Sequence, residues 1–573
     1  MEEKELIYNS PKAIRRRSLT GFLSVTVAVV SLWLLSSLFS LRLDLTEDKR
    51  YTLSPVTRDI LRSLDEDVYI EVYLEGEMPV QFRKLKRTAS EMLEEFRLAS
   101  GRRIDYSFIN PSTESTAEKR NQDYLKLTEK GLNPVNIQAS DEEGGSSQKI
   151  IFPGMLINYN NASVPVNFLR NDPSVSPDQN LTRSVEGLEY ELIQTISTLV
   201  SDTVHKIAFI EGHGEADEAY VADITLALAR YFTVDRGTIG GKPGILDSYS
   251  AVIVAGPEQE FGEADKLVLD QYIMKGGKVL WLLEEVVASE DSLAYGETVA
   301  LYRPLRIEDQ LFRYGARINP VIIQDVECLR IPMKVITGTQ QQIVPVPWVY
   351  YPLLIPDARH PVTRNLNRVA ARFSGYIDTV GLDPSVKKSV LLATSQTSRT
   401  VSPPFVISLK EADKLPDPEE FTKGQLPVAV LLEGTFRSAF RNRLTDDIPE
   451  ARGLKLVKES LPTKMVVVAD GNIIKNDVRR TGRELTPLPL GQDRYTLQVY
   501  GNRDFIVNVM NYLVDDKGML DLRSREVKMR LLDRKALKSD KGIIIAVNLV
   551  APVVFIALFG YVYMLIRRRK YTR

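Results

Sequence analysis

The segment EGHGE places Glu211, His213 and Glu215 at alternate positions, bracketed by Gly212 and Gly214, directly after the apolar run Lys206 to Ile210. An imidazole with two carboxylates has the groups for acid and base work or for ligating a metal, and a loop at the carboxyl end of a strand is where doubly wound folds hold ligands. The rest of the chain completes neither chemistry. His205, His213 and His360 are the only histidines, no G-x-S-x-G elbow is present, and the single cysteine, Cys328, sits in QDVECLRIP without the flanking glycines that expose a nucleophile. EGHGE therefore reads as a turn or a partner contact in which the glycines supply unusual backbone angles and His213 is dispensable for folding. Cys328 reads as a buried or half-buried structural thiol. No catalytic residue, metal or cofactor is expected.

Two other groupings carry residue types suited to binding. Gly237 to Pro243 (GTIGGKP) approaches a phosphate loop, but the glycines are one residue too close and proline stands where the magnesium-binding hydroxyl belongs. A glycine-rich surface loop is the expectation, and any ATP hydrolysis must come from a separate chain. Trp348, Tyr350 and Tyr351, interleaved with Pro345, Pro347 and Pro352, suit an exposed contact patch and core packing equally. A formal net charge of -1, with 44% hydrophobic and 26% charged residues, describes folded domains and gives no footprint for nucleic acid.

The elements that position these groups follow from periodicity. Ser54 to Leu61 predicts a short capped helix, and Val68 to Leu74, Val80 to Leu98 and Ile104 to Ile109 predict a βαβ unit with parallel strands. Val135 to Ala139, Lys149 to Tyr159 and Val164 to Phe168 predict strands, with DEEGGSS as a hairpin tip, and Ser184 to Val200 a helix. A second unit starts at Lys206 to Ile210 and continues through a helix over Ala219 to Tyr231, a strand at Ala251 to Ala255, a helix over Glu263 to Met274 closed by Gly276 and Gly277, and a strand at Val279 to Leu283. Val390 to Ala393 and Met465 to Ala469 predict later strands of the same sheet, and Asp504 to Val514 its last helix. The proline-rich stretches VPVPWVYYPLLIP and SLKEADKLPDPEEF predict inserted extended loops. The fold class is α/β, a βαβ domain followed by a doubly wound domain.

Apolar segments lie near each end. Leu19 to Leu41 and Ile543 to Ile566 carry no charge and match a bilayer core of ~30 Å. Lys12, Arg15, Arg16 and Arg17 precede the first, and Arg567, Arg568, Arg569 and Lys570 follow the second, so both tails are expected in the cytoplasm and the region between them outside it. The first run exceeds a signal-peptide core and no A-x-A-like site follows it, which favours an uncleaved anchor. Expected segments are a tail over 1–18, a span over 19–41, ectodomains over 42–203 and 204–515, a juxtamembrane segment over 516–542, a span over 543–566 and a tail over 567–573. The juxtamembrane segment suits either an amphipathic helix at the membrane surface or a solvated linker. Asn548 and Pro552 interrupt the second span with features better tolerated against another helix than against lipid.

FIEGHGE (209–215), IVAGPEQEFGEADKLVLDQYIMKGGKVLWLLE (253–284), VVVADGNII and NRDFIVNVMNYL, together with the two apolar ends, resemble the GldG family, which accompanies the gliding-motility ABC transporter of Bacteroidota. The middle segment is also similar to a domain of eukaryotic intraflagellar transport proteins, related to class I glutamine amidotransferase-like folds. The resemblance implies a two-pass subunit of a bacterial inner membrane with its large domain in the periplasm, beside a GldF-like permease and a GldA-like ATPase, with room for a homodimer in the complex. It implies an interaction role and does not imply catalysis. The alternatives are a solute- or saccharide-binding receptor and, after that, a hydrolase.

Overall fold

The computed structural model describes residues 19–31, 52–515 apart from short interruptions such as 141–145, 170–180 and 201–204, and 541–571. The hairpin tip around Gly144, the second part of the expected first span (32–41) and nearly all of the expected juxtamembrane segment lie outside the described residues. The chain divides into two compact units, Met1–Arg525 and Glu526–Arg573.

In the first unit, Ser54 caps the helix Pro55–Arg62 by accepting from the Thr57 backbone N–H, and proline opens the helix where its missing donor costs nothing. Strands β1 (Val68–Val72) and β2 (Ile104–Phe108) flank the helix Val80–Ala99 and pair in parallel, Val68 opposite Ile104 through Val72 opposite Phe108. The βαβ expectation is met. A helix over Ala117–Glu129 was not anticipated. The run expected as one strand over Lys149 to Tyr159 is two. Phe152 and Pro153 separate β4 (Ser146–Ile151), which forms a hairpin with β3 (Val135–Ser140), from β5 (Gly154–Tyr159). β5 joins β1 and β6 (Ala162–Asn167) in a four-stranded mixed sheet of order β2-β1-β5-β6. Gly154 is required there, because a Cβ would lie 2.8 Å from the Val166 carbonyl oxygen.

The second α/β region is built on a ten-stranded sheet. β7 (Lys206–Glu211), β8 (Thr233–Thr238), β9 (Ala251–Ala255) and β10 (Lys278–Leu282) run parallel, and Thr463–Val468 completes the parallel half against β10. In space the five stand as β8, β7, β9, β10, Thr463–Val468, so in chain order they read 2-1-3-4-5. Alternate residues face opposite sides, and both sides are buried. Phe209, Ile253, Leu280 and Val466 pack on one core with Phe505 and Val509 of the helix Asn502–Val514. Ile210, Val254, Trp281 and Val467 pack on the other with Leu269 and Ile273 of the helix Glu263–Met274. Continuous apolar strands covered by helices on both faces are what a parallel sheet needs.

Beyond Thr463–Val468 the sheet continues antiparallel through Pro427–Gly434, Val386–Ala393 and a long hairpin of Gln340–Pro356 with Cys328–Thr337. The expectation of loops over VPVPWVYYPLLIP is corrected, since those residues are the heart of the Gln340–Pro356 strand. Pro345 and Pro347 are two apart and so turn the same edge of the strand, and the ribbon needs backbone donors on only one edge. The expected helix over Ala219 to Tyr231 is shorter, a 3-10 turn at Glu218–Tyr220 and an α-helix at Ala222–Leu228.

In the second unit, Lys541–Tyr571 is one continuous helix containing Asn548 and Pro552. Its Ile545–Arg569 portion is long and apolar enough to cross a membrane and none of it is buried, whereas the described apolar helix near the other end covers Leu19–Ser31.

Candidate functional site

The parallel strands end in one row of loops, where His213, Glu284, Glu285 and Asp470 are buried. β7 runs into EGHGE. Gly212 and Gly214 take φ of 115° and 72°, the left-handed region that only glycine occupies without strain, and this lets the loop double back over the end of β9. The His213 carbonyl then accepts from Glu258 and Gln259, and Ala216 N–H donates to the Ala255 carbonyl. The crevice between β7 and β9, where the strand order reverses, is thereby covered by the protein's own backbone.

The three side chains do not converge. Glu211 turns to Arg236 of β8, whose Nε donates to it at 2.8 Å. His213 is buried and stacks on Phe261 with ring centroids 3.9 Å apart. Its Nδ1 meets Glu215 at 3.1 Å and its Nε2 meets Asp265 at 3.0 Å. Asp265 also accepts from Gly241 N–H at 2.6 Å, so the glycine-rich turn after β8 is tied to the same imidazole. Burial pushes the His213 pKa down, but the hydrogen bonds and charges of Glu215 and then Asp265 outweigh burial and leave it raised. With one carboxylate on each ring nitrogen, the donors surround the imidazole and do not point at a common centre. The arrangement is a hydrogen-bonded clamp between loop and helix.

A second cluster, which sequence reasoning missed, lies at the ends of β10 and Thr463–Val468. Glu284 and Asp470 are both buried. The Asp470 carboxylate accepts from Asn472 N–H at 2.7 Å and Arg372 N–H at 2.9 Å, while Asn472 Nδ2 donates to Glu284. Arg303 Nη2 approaches Glu284 at 3.7 Å. Burial, followed by the Glu284 charge, raises Asp470, and burial raises Glu284 against the pull of Lys475 and Arg303. The pair therefore holds a proton well above the usual carboxylate range. Gly471 lets the turn after Thr463–Val468 close against the end of β9, since a Cβ there would sit 2.8 Å from the Gly256 Cα. Next to the pair, Arg372 is clamped by Asp477 and Glu290, each at 3.2 Å, and lies over the Tyr351 ring. The only sequence signal was an acidic residue directly after each apolar strand, in WLLEE and VVVAD.

Of the aromatic patch, Trp348 and Tyr350 are buried in a satellite core with Phe373 and Ile407. Tyr351 is half-buried and donates to Glu290 at 3.1 Å. Cys328 is half-buried and its thiol is pushed up by burial to about 12, far from a reactive thiolate.

A family model described as an ABC-type uncharacterized transport system matches residues 205–509, and a domain of unknown function, DUF7088, matches residues 47–158. A protein of Borreliella burgdorferi (strain B31) named "Uncharacterized protein" is 21% identical over 551 residues, covering 93% of this chain and 95% of its own length. Among solved structures, the mmIFT52 N-terminal domain is 14% identical, covers 54% of this chain and 98% of its own, and superposes with a TM-score of 0.31.

Proposed function

Because the chain belongs to the ABC-type uncharacterized transport system family, as an auxiliary component, we propose that it is the membrane-anchored, extracytoplasmic subunit of such an assembly. The observation that carries the anchoring is the 25-residue apolar helix Ile545–Arg569, none of it buried. At 1.5 Å per residue it reaches about 37 Å, enough for a bilayer core of ~30 Å. The arginines from Arg567 onward keep its end in the cytoplasm.

In full, the reading is a two-pass protein of a bacterial inner membrane, of the gliding-motility, GldG-like type. Spans over 19–41 and 543–566 enclose a βαβ domain over 42–203 and a flavodoxin-like or amidotransferase-like domain over 204–515. Its partners are a GldF-like permease and a GldA-like ATPase, with a homodimer in the complex. Glu211, with 41% of its side chain exposed, and the half-buried Tyr351 are the members of the two anticipated contact groups that a partner can reach.

Two experiments test it. Purification in mild detergent is expected to recover a multi-span permease and a nucleotide-binding ATPase with this chain, and recovery of neither would remove the proposal. An alkaline phosphatase fusion near Gly144 is expected to be active. An active cytoplasmic reporter at that point would reverse the topology.

A further inference from the structure

A cleft of about 420 Å³ opens between the two α/β regions of the first unit, within the size range of ~300–1,000 Å³ typical of small-molecule sites. One wall is the end of β6 and the helix Leu188–Val200. The other is formed by the turn at Tyr231, the loop holding Asn365 and Asn367, and the helix Asn502–Val514 with the Tyr500 turn before it. Carboxamides dominate both walls. Several are occupied by their own backbone: Asn167 donates to Gly131 at 3.0 Å and accepts from Asn133 at 2.8 Å, and Asn508 Nδ2 donates to Val362 at 2.9 Å.

Gln194 and Asn511 differ. Gln194 lines the cleft, is 6% exposed, and its carboxamide has no hydrogen-bond partner among the described residues. Asn511, half-buried on the opposite wall, is engaged through its backbone in the helix Asn502–Val514 and at Asp515, and its carboxamide makes no hydrogen bond among the described residues. Amides that their own chain leaves unbonded at a cleft wall are open to hydrogen-bond whatever fills the space beside them. The charges lining the cleft balance, with Arg230 and Arg503 against Glu191 and Asp504, so nothing selects a phosphate or another strongly charged ligand.

We infer that this cleft binds a short neutral saccharide, with Gln194 and Asn511 as its polar contacts and Tyr231 and Tyr500 as its aromatic walls. A carboxamide presents a donor and an acceptor side by side in one plane. Neighbouring hydroxyls on a sugar ring present the complementary pair, while the ring's C–H faces pack on aromatic surfaces. The inference goes beyond the accessory role and does not depend on which permease the chain accompanies.

The test uses the full chain in a detergent without a sugar headgroup, titrated calorimetrically with maltose, cellobiose, lactose and di-N-acetylchitobiose, and separately with trialanine. At least one disaccharide is expected to bind saturably. Gln194→Leu and Asn511→Leu are each expected to weaken it by about tenfold, the loss of a buried hydrogen bond to ligand. Gln194→Leu keeps the volume and removes an unpartnered amide, so its melting temperature is expected to equal or exceed that of the parent, which separates lost binding from lost folding. No binding by any of the four sugars, binding unchanged in both variants, or binding of trialanine alone would each overturn the inference.

Discussion

The imidazole of His213 carries more than a turn requires. Stacked on Phe261 and hydrogen-bonded to both Glu215 and Asp265, it ties the two carboxyl groups together, and its removal takes that partner from each. His213→Ala is therefore expected to destabilise by about 2–4 kcal/mol, in contrast to the dispensable loop residue that the sequence suggested. Its raised pKa sets a sign. The stabilisation is fully present below the unfolded value of about 6.5 and is lost as pH rises through the higher folded value. Melting followed by tryptophan fluorescence should show this decline in the parent and a shallower one in His213→Ala. Gly214→Val places a branched side chain at φ 72° with its Cβ 3.2 Å from that of Glu258, and a loss of about 2 kcal/mol is expected. The Glu284 and Asp470 pair also favours its proton in the folded state, so its contribution falls as pH rises from the unfolded carboxylate pKa toward the raised folded values. Glu284→Gln removes one of the two charges, and it is expected to flatten that decline and raise the melting temperature at pH 8. An unchanged pH profile would place the proton elsewhere.

At the scale of elements, legibility depended on how local the determinant was. The helix Glu263–Met274 was legible to the residue because Gly276 and Gly277, adjacent in sequence, close it. Strand β8 was missed because TVDRGT is polar, half exposed and at the edge of the parallel half, where burial imposes no apolar run. The Gln340–Pro356 strand was missed because its prolines announce a loop until a partner strand is seen to need only one edge. Glu284 and Asp470 stand far apart in the chain, and only the pairing of β10 with Thr463–Val468 brings them together. No local pattern encodes that. The helix Lys541–Tyr571, legible from composition alone, carries its own prediction. Replacing residues 543–566 with an unrelated apolar helix of equal length should leave the protein inserted yet lose the co-purifying permease, if Asn548 and Pro552 face another helix. Undiminished recovery would assign the attachment to the α/β regions.

For the whole molecule, the parallel half is completed late. β10 waits for Thr463–Val468 while residues 283–462 build the antiparallel half and its hairpin. Until then Val279, Leu280, Trp281 and Leu282, all fully buried in the finished sheet, form an unpaired apolar edge. Such edges recruit other strands, and long-range pairing is slow because its loop must close first. During synthesis this half therefore remains an adhesive intermediate until nearly the entire region between the two apolar ends has emerged. A nascent chain arrested before residue 463 is expected to be bound by chaperones or degraded, where an arrest after residue 515 yields a protease-resistant body. The price of a sheet that spans both halves is that neither half can be delivered early.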